Sequence, residues 1–203
     1  MMMAQTVFVV DDDHAVRESI RELVGSVRLP VQTFASGQEF LGALNGAQPG
    51  CVVLDLRMPG MSGLDLQQQL VARNVAMPVI MISAYGDVPS VVHALKSGAV
   101  DFIEKPFSRQ LLLDRIHRAL ELDERNRLNH GRRAEVATRV ARLTPREREV
   151  MELVIGGKTN KAIAAELGLC EKTVEVHRAH VMAKMKVQSL AELVRAGILL
   201  QSG

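Results

Sequence analysis

The sequence predicts two folds in one chain: an α/β domain with a doubly wound, five-stranded parallel sheet, then a small all-helical domain. Three observations predict this. Before residue 120, β-rich apolar runs alternate five times with stretches of helical spacing. The first, third, fourth and fifth of those runs end in polar groups: Asp11-Asp12, Asp55, Ser83 and Lys105. After residue 142, four helix patterns follow one another.

The first run, 6–10, leads into Asp11-Asp12-Asp13 and then into helix spacing at Val16, Ile20, Leu23, Val24 and Val27. A short strand at 31–34 is followed by Ser36-Gly37-Gln38-Glu39, the pattern of a capping box opening a helix through Phe40, Leu41 and Leu44. Cys51-Val52-Val53-Leu54-Asp55 is an apolar run that reads as a strand buried on both faces. Pro59, Gly60 and Gly63 break the chain before a helix with Leu64, Leu66 and Leu70. A fourth strand, 78–83, ends in a hydroxyl, and Val88, Val91, Val92 and Leu95 share a helix face that Gly98 can close. The fifth strand, 100–104, ends at Lys105-Pro106, and a helix from about residue 108 carries Leu112, Ile116 and Leu120.

From 121 to 142 the chain is Arg-rich with alternating charge, one Gly and no Pro, and it reads as a solvated helix rather than a loose linker. Thr144-Pro145-Arg146-Glu147 is a second capping box with Pro at the first helical position. Helices are expected near 145–155, 160–167, 171–185 and 189–197, the last opened by Ser189 and Glu192. The boundaries drawn are therefore 5–122, a helical linker at 123–142, and 143–203.

A length of 203 residues suits two domains, and 47% apolar residues can fill two cores. With 3% aromatics and no Trp, those cores are expected to be Val, Leu, Ile, Ala and Met. Cys51 and Cys170 form neither a metal spacing nor a disulfide framework, which fits a reducing cytosol. No run approaches a membrane span, and the Met1-Met2-Met3 start has no basic region before an apolar stretch, so no signal peptide is expected. Residues 1–120 hold 10 Lys and Arg against 12 Asp and Glu, whereas residues 121–203 hold 15 against 11. An acidic front and a basic back suggest different partners for the two halves.

In a doubly wound sheet the strand ends gather along one edge, where such sheets place their chemistry. Asp11, Asp12 and Asp55 together would repel one another unless a cation sat among them, and all-oxygen donors suit Mg²⁺. Lys105 offers a point charge, and Ser83 a hydroxyl, to phosphoryl oxygens. Asp55 can then act as nucleophile, forming an acyl phosphate.

Val9-Val10-Asp11-Asp12-Asp13, Leu54-Asp55-Leu56-Arg57-Met58-Pro59-Gly60-Met61-Ser62-Gly63 and Asp101-Phe102-Ile103-Glu104-Lys105-Pro106-Phe107 together resemble a response-regulator receiver domain, of flavodoxin-like fold, over residues 5 to about 120. The resemblance implies that Asp55 accepts phosphate from a sensor histidine kinase. It implies a Mg²⁺ site of Asp11, Asp12, Asp55 and the Arg57 backbone carbonyl, a switch pair of Ser83 and Phe102, and a cis Lys105-Pro106 bond. Ser83 stands where the commoner residue is Thr. Other residues keep plainer readings: Asp13 as a helix cap, His14 as a solvated side chain, and Met58 and Met61 as loop anchors. Tyr85 either lines the pocket or sits exposed on its loop.

In the helical half, Ile163-Ala164, Gly168-Leu169 and Val174 have helix-turn-helix spacing. Val174, Val181 and Met185 form the stripe that packs the second helix, leaving Lys172, Glu175, Val176, Ala179 and Ala183 to face a major groove. Lys158, Lys161, Lys184 and Lys186 are placed to reach phosphates. Residues 143–150, 160–164 and 172–178, which include Thr173 on the reading face, closely resemble the LuxR-type DNA-binding domain of FixJ/NarL-family regulators over 143–203. One departure is Cys170, where that family usually has a capping Ser; a thiol caps poorly, at a cost of about 1 kcal/mol.

The resemblance implies a cytoplasmic transcription factor that binds promoter DNA and acts with RNA polymerase, with no membrane partner and no enzyme activity beyond self-phosphorylation and self-dephosphorylation at Asp55. Because Ser83 and Phe102 lie at the ends of 88–97 and 100–104, phosphorylation is expected to favour a homodimer through those elements. Two readings compete with it. An aspartate-nucleophile Mg²⁺ phosphatase would use Asp11 and Asp13, but it leaves Asp55, the Pro-Gly loop and 143–203 without a role. A receiver working without phosphorylation usually lacks an Asp or the Lys, and neither is missing.

Overall fold

β3 (Gly50–Asp55) is the middle strand of the sheet and β1 (Thr6–Val10) lies beside it, both with apolar side chains on their two faces. With β2 (Val31–Phe34), β4 (Val79–Ser83) and β5 (Asp101–Glu104) they pair in the order β2-β1-β3-β4-β5, every pair parallel. Each strand is followed by a helix: α1 (His14–Ser26), α2 (Gly37–Ala43), α3 (Gly63–Ala72), α4 (Val88–Lys96) and α5 (Arg109–Val140). The computed structural model describes residues 5–44, 48–84 and 88–201.

The period of two along each strand divides the core into two layers. Val7, Val9, Cys51, Val53, Ile80 and Ile82 pack against Ile20 and Val24 of α1 and Leu112 and Ile116 of α5. Phe8, Val10, Val52, Leu54 and Met81 face the other way, onto Phe40, Leu66, Leu70 and Ala94 of α2, α3 and α4. The sheet is therefore covered on both faces, as a doubly wound topology requires. The second layer departs from the aliphatic core expected from composition. Phe8, Phe34 and Phe40 come together with centroids 5.2 to 6.5 Å apart. Three elements each supply one ring, so the cluster is invisible in a chain-wide aromatic content of 3%.

Helix starts follow local chemistry. Asp13 accepts from the Ala15 and Val16 N–H groups, capping α1 as expected. Ser36 caps α2 through the Glu39 N–H, but the Glu39 carboxylate reaches the Ala35 N–H instead of returning to Ser36, so the box is half formed. The reciprocal box of this unit is Ser62 with Asp65, at the start of α3. Asp123 of α5 is buried and accepts from the Gly50 N–H at 3.0 Å, fastening that helix to the base of β3.

The chain divides into two compact units, Met1–Arg127 and Leu128–Gly203, and α5 runs unbroken through that boundary. The second unit contains α6 (Pro145–Ile155), α7 (Asn160–Leu167), α8 (Glu171–Met185) and α9 (Leu190–Gln201) around Val150, Val154, Ile163, Val174, Val181, Met185 and Leu193. Val136 and Val140, near the end of α5, also enter this core, so part of the stretch read as linker packs with the helical unit. Gly168 ends α7 at φ 64°, the left-handed region that makes the tight turn into α8. Among the described residues, no helix is long and apolar enough to cross a membrane.

Candidate functional site

Asp11 follows the last residue of β1 and Asp55 is the last residue of β3, so two neighbouring parallel strands deliver two carboxylates to the same edge. Lys105, just after β5, lies between them: its Nζ donates to Asp11 Oδ2 and to Asp55 Oδ1, both at 2.7 Å. Each carboxylate also takes one backbone donor. Asp13 N–H reaches Asp11 Oδ1 at 2.9 Å, and Arg57 N–H reaches Asp55 Oδ2 at 2.7 Å. Arg17 Nη1 holds the Asp11 carbonyl at 2.7 Å.

The pocket is tight because α3 begins against the Asp55 backbone. A Cβ on Gly63 would stand 2.3 Å from the Asp55 carbonyl oxygen, so any other residue would push the loop off the strand end. Ser83 ends β4, is buried and pairs in register with Glu104 of β5. Phe102 on β5 is half-buried and packs against the aromatic layer. The Lys105-Pro106 bond is cis.

Two carboxylates share one ammonium, and the site is shaped by burial as well as by charge. Burial raises the Asp11 pKa above its usual value by more than the Lys105 and Asp13 hydrogen bonds lower it. Burial also works against the Lys105 charge, but its bonds to Asp11 and Asp55 outweigh burial and hold the ammonium above its ordinary range. The donor set is all oxygen and under-neutralised, which fits a hard divalent cation. The expected third carboxylate does not close on the other two. Asp12 is exposed, and among the described residues no three His, Cys, Asp or Glu side chains gather at metal-ligating distance. Tyr85 lies outside the described residues.

The second unit presents α8. Val174 and Val181 are buried seven residues apart, while Lys172, Glu175, Val176 and Ala179 are exposed along another face and Thr173 is half-buried. Cys170 holds the N-cap position in extended conformation without a side-chain cap hydrogen bond. Its sulfur instead lies 3.1 Å from Thr173 Oγ1, a contact that lowers the thiol pKa.

The four lysines expected to reach phosphates differ. Lys161 and Lys186 are exposed. Lys158 pairs with Glu166 on the surface, as Lys172 pairs with Glu175 at 3.4 Å; exposed pairs of this kind open at little cost. Lys184 is engaged within the fold, donating at 2.6 Å to Glu147 Oε2. Glu147 is 3% exposed and also completes the Thr144 capping box, accepting from the Thr144 N–H at 2.8 Å. The Lys184 and Thr144 hydrogen bonds hold its carboxyl down at about 2. The sequence signals Glu147 as a cap only; its partner lies 37 residues away and carries no local signature.

A five-stranded parallel sheet with paired aspartates and a lysine at its edge, followed by a helix-turn-helix unit, defines a response regulator with a DNA-binding output domain. Comparison with known proteins agrees. Residues 7–117 match the response regulator receiver domain, and residues 141–196 match the bacterial regulatory proteins of the luxR family. The chain belongs to this family of two-domain response regulators. It is 47% identical over 189 residues to Nodulation protein W of Bradyrhizobium diazoefficiens, covering 93% of this chain and 83% of that protein. It is 46% identical over 193 residues to Transcriptional regulatory protein FixJ of Azorhizobium caulinodans, covering 95% and 92%. The solved structure of Response Regulator StyR covers 96% of this chain and 98% of its own at 46% identity, with a TM-score of 0.80. Full-length FixJ from B. japonicum matches at 42% identity with a TM-score of 0.60, covering 98% of both chains. FixJ and StyR are named as regulators, and the chain shares their two-domain family.

Proposed function

We propose that the protein is a cytoplasmic regulator in which Asp55 accepts a phosphoryl group from a sensor histidine kinase and thereby controls the binding of promoter DNA. The observation that carries this reading is the pair of buried carboxylates, Asp11 and Asp55, bridged by one lysine at the ends of two central strands. In the transfer, an Asp55 carboxylate oxygen forms the new O–P bond as the P–N bond to the kinase histidine breaks, and the bonding pair returns to the imidazole. Lys105 exchanges one of its carboxylate bonds for a phosphoryl oxygen, and Ser83 donates its hydroxyl to another. Asp11, Asp12, Asp55 and the Arg57 carbonyl would hold Mg²⁺, which when bound offsets the charge of the phosphoryl oxygens.

The switch follows from Ser83 and Phe102. As Ser83 turns to the phosphate, Phe102 moves further into the aromatic layer, changing the surface of α4 and β5. Val88, Val92, Leu95 and Val100 are exposed on that side and form the face through which two phosphorylated receivers pair. The output is carried by α8: Lys172, Thr173, Glu175, Val176 and Ala179 read bases, while Lys158, Lys161 and Lys186 hold phosphates. Lys184 can join them only by leaving Glu147. Domain limits of 5–122 and 143–203, joined through 123–142, suit this division, with transcription by RNA polymerase activated at the bound promoter.

The test is intact-mass measurement after exposure to acetyl phosphate and Mg²⁺. Wild type should gain one phosphoryl group, and Asp55→Asn none. Equal labelling of both chains would remove Asp55 from its role. Light scattering on the same samples should show labelled wild type moving from monomer to dimer.

A further inference from the structure

We propose that Arg139 is a positioning residue for α8: from the last turn of α5 it holds the C-terminal end of that helix and so fixes the angle at which the reading face is presented. The proposal rests on the reading of α8 as the helix that contacts bases.

Arg139 Nη1 donates to the Met185 carbonyl at 3.0 Å. Met185 is the last residue of α8, so its carbonyl is one of the terminal acceptors that no N–H of the helix can satisfy. The neighbouring acceptors are met locally. Lys186, at φ 55°, donates to the Ala183 and Met182 carbonyls, and the Val187 N–H also reaches Met182. Met185 is thus served from another helix, by a cation placed at the negative end of the helix dipole. The guanidinium is itself held, since Nη2 pairs with Glu135 one turn back. Val136 and Val140, on the same turns of α5, enter the core with Val181 and Met185, so the base from which Arg139 reaches is packed.

Two other helices also grip α8. Lys184 reaches Glu147 of α6, and Arg178 donates to Asn160 Oδ1 of α7 at 2.5 Å. Both tethers run through long side chains of α8, which can flex while the helix axis moves. Arg139 differs in bonding the backbone of α8 directly, at the end of its axis. The reading residues lie toward the other end, with Ala179 six positions, or about 9 Å, from Met185. A helix freed at Met185 can pivot there and displace Lys172 and Glu175. Bidentate contacts to base edges fail under such displacement, whereas contacts to phosphates tolerate it.

The experiment uses the full chain and two probes: duplexes selected by wild type from a random-sequence pool, and the unselected pool. Arg139→Met should lower the ratio of selected to unselected affinity about tenfold, as loss of a charge-assisted hydrogen bond implies. It should leave unselected binding and its salt dependence unchanged, and Arg139→Lys should recover most of the ratio. If Arg139→Met lacks a cooperative melt, the ratio is read on Arg139→Gln. Equal loss on both probes with a salt slope smaller by about one would make Arg139 a phosphate contact and overturn the proposal. An unchanged ratio alongside a lower melting temperature would make it merely structural and also overturn it. Glu175→Ala, measured in parallel, separates the two readings. A shifted site preference there with no effect of Arg139→Met sinks this proposal alone, and no shift sinks both.

Discussion

Each half of the molecule contains a lysine against buried carboxylate, and the two arrangements are opposites. At the sheet edge, Lys105 serves both Asp11 and Asp55, and burial leaves Asp11 reluctant to ionise. In the helical unit, Lys184 serves Glu147 alone, with the Thr144 cap bonds added, and that carboxyl is held at about 2. The first site carries negative charge that one lysine does not offset, which is what the proposed cation and phosphoryl site requires. The second is satisfied and holds α6 to α8. Similar residue types thus give an under-neutralised site in one place and a fastening in the other, and the difference is the count of charges and donors.

The largest effect that tests this contrast comes from the lysine of the sheet edge. Lys105→Met strands two buried carboxylates and should cost the receiver about 3 kcal/mol in chemical denaturation. A smaller loss than for an exposed pair would mean that water already screens the pocket. Next is Glu147→Gln, which removes the charge facing Lys184 but keeps an amide oxygen for the cap bond, and should cost about 2 kcal/mol near neutral pH. Because the folded pKa of Glu147 lies below its ordinary 4.5, its contribution is complete above pH 4.5 and is lost as pH falls through about 2. The difference between wild type and Glu147→Gln should therefore shrink across that window. A difference independent of pH would show that the ion pair contributes nothing.

Asp11→Asn should move stability the other way. The folded pKa of Asp11 is raised above 3.8, so its ionisation opposes folding once pH rises past that value. Removing the charge should stabilise the receiver by about 1 kcal/mol near pH 7 while abolishing phosphoryl acceptance, a trade of stability against function. A destabilised Asp11→Asn would refute the claim of excess charge. The smallest effect is expected at Lys158→Ala. Its pair with Glu166 is exposed, so the melting temperature should hardly move, yet DNA affinity should fall alike on all sequences with a shallower salt slope.

The fold was legible almost element by element, because strands buried on both faces are continuous apolar runs and each ends in a polar group. The meeting of Asp11, Asp55 and Lys105 was legible for the same reason: parallel strands in one sheet bring residues distant in sequence to one edge. What escaped were contacts with no local pattern. Asp123 lies in an Arg-rich stretch that reads as solvated, yet it is buried against the start of β3. Glu147 shows its cap in the sequence, but not its lysine. The closing helix was expected to end near 197 and continues to Gln201, since Leu199 and Leu200 pack on the core. Capping patterns were also only partly reliable. Glu192, like Glu39, turns its carboxylate to the residue before the cap, here the Gln188 N–H.

The central claim, that the sheet edge holds uncompensated charge suited to a cation, is tested most directly by calorimetric titration of Mg²⁺ into wild type and Asp11→Asn. Wild type should bind one ion, and Asp11→Asn should bind it about tenfold or more weakly, a difference of about 1.4 kcal/mol. Equal Mg²⁺ binding by the two chains, or none by wild type, would contradict the account.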